Sequence, residues 1–143
     1  MTTLTGDEIA ALTEAASAAR AFAYSPYSRH KVGAAVLDAA GVVHAGCNVE
    51  FVSLTSSVHA ERAALVKMAG AGARQIRAVA VVGPYSGVPC AECRQALWEF
   101  ACGDPDVVVV SAPTDGPLEL MTLGEIYPKP YGPETKGFDP RDF

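Results

Sequence analysis

Cys90 and Cys93 stand three residues apart in Val88-Pro89-Cys90-Ala91-Glu92-Cys93-Arg94-Gln95, and His59 precedes Glu61 by two in Val58-His59-Ala60-Glu61. Two thiolates and an imidazole are ligands that zinc prefers, and three of them leave a fourth tetrahedral position for water. A C-x-x-C pair alone is of moderate specificity, because redox dithiols and closed structural zinc sites share it. His59 and Glu61 change its meaning. Water on a three-ligand zinc ionises near pH about 7 instead of about 15.7, so a hydrolytic attack becomes feasible. A carboxylate near both metal and substrate can shuttle the protons, contributing roughly 10²- to 10⁴-fold. We therefore expect His59, Cys90 and Cys93 to bind one Zn2+ per subunit, with Glu61 as the catalytic proton shuttle. The competing expectation is a structural zinc module closed by Cys47, which leaves Glu61 without a task. Glu92 reads as a solvated carboxylate at a helix start, and His30 and His44 fit no ligand spacing.

The ligands need elements to hold them. Cys90 and Cys93 fall at the start of a helix that runs through Leu97, Trp98 and Phe100 to Gly103, so both sulfurs lie on one side of its first turn. Pro89 suits the entrance to that turn, and the helix dipole favours thiolate there. Trp98, at helical spacing with Gln95 and Cys102, reads as core. His59 opens a second helix reaching Met68, closed by Gly70 and Gly72. Upstream, Ile9, Leu12, Ala16 and Ala19 mark an amphipathic helix from Thr5 to about Phe22, with Thr5 and Glu8 as a capping box. Pro26 begins a loop, and Val32 to Leu37 with Val42 to Val49 predict a β-hairpin turned at Gly41. If the second strand persists, Asn48 and Glu50 share a face, where an amide and a carboxylate suit the hydroxyls of a polar ligand.

Ile76 to Val82 and Val107 to Ser111 are apolar throughout, as strands covered on both faces are. Leu118 to Met121 predicts a short last strand and Thr122 to Ile126 a helical turn. Alternating strand and helix in the second half predicts an α/β sandwich with parallel later strands. The segment from 128 to 143, rich in Pro and Gly, predicts no helix, and its aromatics need a surface to lie against.

A chain of 143 residues, half of them hydrophobic, predicts a single domain over 1–143. Its formal charge of −5, with Lys and Arg scattered singly, offers no basic field for a polyphosphate backbone, so nucleic acid is not an expected partner. No apolar run approaches the roughly 20 residues of a membrane span, and the N-terminus lacks an export signal, so a cytoplasmic location is expected. For the same reason metal binding accounts for the Cys90 and Cys93 pair better than a disulfide does. Cys47 and Cys102 read as small buried hydrophobes.

The order His-x-Glu followed by Pro-Cys-x-x-Cys is the known signature of zinc nucleobase deaminases. Taken with Tyr24-Ser25-Pro26-Tyr27-Ser28, Val32-Gly33-Ala34-Ala35, Gly46-Cys47-Asn48-Val49-Glu50, Arg62, Arg94-Gln95 and the Pro128 to Pro133 segment, it makes the chain resemble the small, homotetrameric cytidine deaminases. The resemblance implies a three-layer α/β/α sandwich around a mixed five-stranded sheet. It implies deamination of cytidine or deoxycytidine to uridine or deoxyuridine by zinc-activated water, a homotetramer with active sites shared between subunits, and a place in pyrimidine salvage. By position it assigns His59, Cys90 and Cys93 to zinc, Glu61 to proton transfer, Asn48 and Glu50 to the sugar hydroxyls and the Ala60 backbone to the base. Tyr131 matches an aromatic that reaches over the base from an adjoining subunit. Four positions depart from the pattern: His59 replaces a usual cysteine, Arg62 remains although no third thiolate needs offsetting, His30 replaces a Phe that packs on the pyrimidine, and Phe51 to Ser57 is atypical. The last two fall on substrate contacts, so a nucleoside analogue such as blasticidin S is the alternative substrate.

Overall fold

The computed structural model describes residues 3–143. Thr5 caps the first helix, α1 (Gly6–Arg20): its hydroxyl accepts from Glu8 N at 3.1 Å while the Glu8 carboxylate accepts from Thr5 N at 2.9 Å. The helix ends at Arg20, two residues short of the expected limit, and a turn leads into the Tyr24 to Ser28 loop. Strands β1 (Gly33–Asp38) and β2 (Val43–Cys47) form the expected antiparallel hairpin, with Gly41 at φ +87° in the turn. Asp38 locks that turn, accepting from Ala40 N and Val42 N at 2.9 Å each and pairing with His44 Nε2 at 2.8 Å. His44 is thus a buried strand histidine with a structural partner, as expected of a residue outside any ligand spacing.

The remaining elements are α2 (Ala60–Gly70), β3 (Ile76–Gly83), α3 (Ala91–Ala101), β4 (Val108–Pro113), β5 (Glu119–Thr122) and the single turn α4 (Leu123–Ile126). One five-stranded sheet has the order β2-β1-β3-β4-β5, with β3 and β4 parallel and every other pair antiparallel. Alternate residues of the central strands point to opposite faces. Ala35, Leu37, Ala78, Ala80, Val82, Val110 and Ala112 meet Leu12 and Ala16 of α1. Ala34, Val36, Val79, Val81 and Val109 meet Ala64, Leu65 and Met68 of α2 and Leu97, Trp98 and Ala101 of α3. Three layers result, and double burial accounts for the unbroken apolar runs. Among the described residues no helix is long and apolar enough to cross a membrane.

Strand direction decides where the functional helices begin. Because β1 lies between β2 and β3 and opposes both, β2 and β3 run the same way. The helices that follow them, α2 and α3, therefore start from one edge of the sheet. Gly46 lets α2 settle against β2: a Cβ there would stand 2.7 Å from Ala64 N. At the far end of α3, Cys102 at φ +54° and Gly103 at φ +78° stop the helix.

The tail carries no α-helix, only 3-10 turns at Pro133–Lys136 and Pro140–Asp142. It is fastened to α3: Trp98 Nε1 donates to Glu134 at 3.0 Å, Gln95 Nε2 donates to the Tyr131 carbonyl at 2.6 Å, and Tyr127 packs edge-on to Trp98. Trp98 is core, as expected. Tyr131, Phe138 and Phe143 remain largely exposed.

Candidate active site

His59 is the N-cap of α2 and Cys90 the N-cap of α3, so each helix proper begins one residue after its donor. Pro89 accordingly precedes the cap and does not occupy the first helical position. Neither cap side chain bonds its own helix. Both turn instead toward a common point. The Cys90 and Cys93 sulfurs lie 3.3 and 3.5 Å from His59 Nδ1, and the three donor atoms fall within 4.8 Å of one another. Zinc at about 2.3 Å from sulfur and about 2.0 Å from nitrogen, with tetrahedral angles, sets an N to S edge of about 3.5 Å. The donor set fits zinc by type and by spacing. Among the described residues this is the one such cluster, and Cys47 is not part of it; the closed four-ligand arrangement loses its fourth member.

Burial, then the Glu61 carboxylate and the Cys90 sulfur, push the Cys93 thiol well above the ordinary cysteine range, while a contact from Arg62 opposes them. A cation among the donors makes the thiolate the stable form. Arg62 reaches the Ser57 carbonyl and pairs with Glu92 at 3.4 Å on the rim, so the expected solvated carboxylate has one loose partner.

Glu61 occupies the second position of α2, only 5% exposed, and among the described residues nothing hydrogen-bonds its carboxylate. It opens onto a cavity of about 470 Å³ that also takes in Ser28, His30, Asn48, Glu50, His59, Ala60, Ser86, Val88 and Cys90. Every expected site residue except Tyr131 therefore borders one space or belongs to the donor cluster beside it. Tyr131 is outside, its ring near the Lys136 ammonium at 5.9 Å.

Asn48 and Glu50 do meet the cavity, but not as strand neighbours. The strand ends at Cys47, and Val49 continues only as isolated bridges to Tyr24 and Val58. Asn48 Oδ1 accepts from Val32 N at 2.8 Å and its Nδ2 donates to the His30 carbonyl at 2.7 Å. Glu50 accepts from Tyr27 N and Ser28 N at 3.1 Å each and from the Ser28 hydroxyl at 2.5 Å. These bonds, the Ser28 hydroxyl first, hold the Glu50 carboxyl below its ordinary range. It is an acceptor-only group with lone pairs to spare. Sequence reasoning missed the Ser28 contact, which joins residues 22 positions apart with no local signal. It also missed Arg94, which braces the Pro89 and Ile126 carbonyls at 2.8 Å each and so steadies the loop bearing Cys90.

A three-layer α/β/α sandwich that presents a His-Cys-Cys zinc set beside a buried carboxylate defines a zinc-dependent hydrolytic enzyme acting on a small ligand. The family model described as the cytidine and deoxycytidylate deaminase zinc-binding region matches residues 7–111. The chain belongs to that family. It is 38% identical over 120 residues to a cytidine deaminase of Sporosarcina psychrophila, covering 81% of this chain and 85% of that one. It is 38% identical over 119 residues to a cytidine deaminase of Mycobacterium tuberculosis, covering 82% and 84%. The crystal structure of a cytidine deaminase from Burkholderia pseudomallei superposes with a TM-score of 0.80 at 40% identity, covering 90% of this chain and all of that one.

Proposed function

We propose that this protein hydrolyses cytidine and deoxycytidine to uridine or deoxyuridine and ammonia, with His59, Cys90 and Cys93 as zinc ligands and Glu61 as proton shuttle. Glu61 carries the case: a buried carboxylate with no hydrogen-bond partner among the described residues opens onto the cavity that His59 and Cys90 border. When bound, zinc supplies Lewis acidity, which makes water a nucleophile at neutral pH. The two thiolate charges of Cys90 and Cys93 balance the ion, and His59 adds a neutral donor. Glu61 takes the proton released as the water oxygen adds to C4 of the cytosine ring and delivers it to ring N3. It then carries the remaining proton from the new C4 hydroxyl to the amino group. The C4–N bond breaks, ammonia leaves, and the C4 carbonyl of uracil forms.

At the other end Asn48 and Glu50 face the sugar hydroxyls, and the N–H of Ala60, lacking an intrahelical acceptor, is free for the base. Among the described residues, those lining the cavity include no Lys or Arg but two carboxylates, Glu50 and Glu61. That balance favours an uncharged nucleoside over a nucleotide, whose phosphate needs a cationic partner. Ammonia release from cytidine, deoxycytidine, deoxycytidylate and blasticidin S tests the assignment; preference for either of the last two overturns it.

The same reading takes 1–143 as one domain, since every α-helix packs on a single sheet, and the assembly as a homotetramer in the cytoplasm serving pyrimidine salvage. An apolar groove of about 1100 Å³ between α2 and α3, bordered by Leu65, Val66, Ala96 and Phe100, supports self-association, as do exposed Phe51, Val52 and Leu54. Tyr131, outside its own cavity, is then available to a neighbour's. Light scattering gives the mass directly, and a monomer that turns over cytidine excludes the shared site.

A further inference from the structure

One contact outside these roles joins two loops across the cavity mouth. His30 follows α1 and Tyr85 lies between β3 and α3, yet their rings stack with centroids 5.0 Å apart and planes 28° from parallel. His30 borders the cavity, whereas Tyr85 does not and is 74% exposed. The backbone of His30 is held from the sugar side: its carbonyl accepts from Asn48 Nδ2, and its N–H donates to the Ser28 hydroxyl at 3.0 Å. Its imidazole has no hydrogen bond among the described residues; the ring is stacked on Tyr85 and otherwise feels only the charge of Glu50.

The Tyr85 loop is itself anchored. Gly87 N donates to the buried Ser111 hydroxyl at 2.9 Å, and a Cβ at Gly87 would stand 2.6 Å from the Val81 carbonyl, so the chain closes on β3 and β4 at a point only glycine fits. Ser86 and Val88, on either side of that anchor, both border the cavity. Tyr85 extends from this fixed base to the His30 ring.

We propose that Tyr85 is a positioning residue: it holds the His30 imidazole as a side wall of the cavity, and the stacked pair thereby sets how tightly a nucleoside is gripped without touching the reacting atoms. This rests on the nucleoside reading above. The Ala variant of Tyr85 frees the ring, and aromatic pairing of this kind is worth about two- to tenfold in binding.

The test compares the unaltered zinc enzyme with Tyr85→Ala, Tyr85→Phe, His30→Ala and the Tyr85→Ala/His30→Ala double variant. Tyr85→Ala raises KM for cytidine about two- to tenfold with kcat and zinc content held, and Tyr85→Phe, which keeps the ring, restores KM. In the double variant Tyr85→Ala adds nothing to His30→Ala, because its effect passes through that ring. Independently of turnover, the His30 ring protons shift upfield in the NMR spectrum of the unaltered protein and lose that shift in Tyr85→Ala. An unchanged KM in Tyr85→Ala, a fall in kcat in place of the KM effect, additivity with His30→Ala, or an unmoved His30 resonance overturns the proposal while cytidine turnover leaves the site reading intact. Failure of the unaltered protein to turn over cytidine overturns both.

Discussion

The two ends of the cavity are built by opposite means. At the metal end, His59 and Cys90 cap two helices that leave one sheet edge, and Cys93 follows a turn later, so backbone geometry alone delivers the donors. Neither the donors nor Glu61 are spent on internal capping bonds. At the sugar end Asn48 and Glu50 lie beyond the strand, and each is held by hydrogen bonds to the Tyr27 to Val32 loop. On the proposed assignment, chemistry is placed on helix starts with its reactive atoms left free, while recognition is placed on loops tied down by the groups that would do the recognising. A substitution at the first end should remove function and leave the loops in place; one at the second should alter affinity and local order together.

The sharpest way to break that contrast is Cys93→Ala, which should lose zinc and reduce turnover to background, as read by metal analysis beside ammonia release. Retained stoichiometric zinc would show that the donor set is wrong. Glu61→Gln comes next. It should keep zinc and lose roughly 10²- to 10⁴-fold in kcat, a separation that only a proton-transfer role produces. At the sugar end Glu50→Gln should raise KM by about ten- to a hundredfold with zinc unchanged, because it removes a charged acceptor from the ligand and loosens the Ser28 turn together.

A pH profile sharpens the contrast further. The Glu50 carboxyl is depressed chiefly by the Ser28 hydroxyl. It therefore stays ionised above its lowered value, and its share of nucleoside affinity is lost only as pH falls through that value, below the ordinary carboxylate range. KM should stay level from neutrality down to about pH 5 at constant zinc occupancy, whereas Ser28→Ala should move the acid-side rise in KM to higher pH. A shift to lower pH would contradict the assigned cause. The smallest effect belongs to Cys47→Ser, which should retain zinc and the same kcat within about twofold, since Cys47 lies outside the donor cluster. Zinc loss there would revive the closed structural site.

The metal end was legible in the linear chain because its signals are local. Residues three apart at a helix start share a face whatever the rest of the fold does, and a His two residues before a Glu is a second short-range pattern, carried by the start of the other helix. The capping box at Thr5 and Glu8, the hairpin and the doubly buried strands were legible for the same reason. The sugar end was only half legible. Asn48 and Glu50 were picked out as strand neighbours, but the strand stops at Cys47 and bonds to a distant loop aim both side chains into the cavity. Ser28 and Arg94 stood in motifs of the resemblance without a role, and Tyr85 gave no signal, since a hydroxyl, a guanidinium or a ring acquires its role from what it meets.

The sequence by itself determined which atoms could hold a cation and move a proton, because short-range helical geometry and side-chain chemistry suffice for that. Tertiary structure alone decided that His59 and Cys90, 31 residues apart, meet. That follows from the direction of β1, which opposes both neighbours and sends α2 and α3 off the same edge. It also decided that Glu50 finds Ser28 and that His30 finds Tyr85, contacts between separate loops whose partners are fixed only when the sheet has brought both ends together.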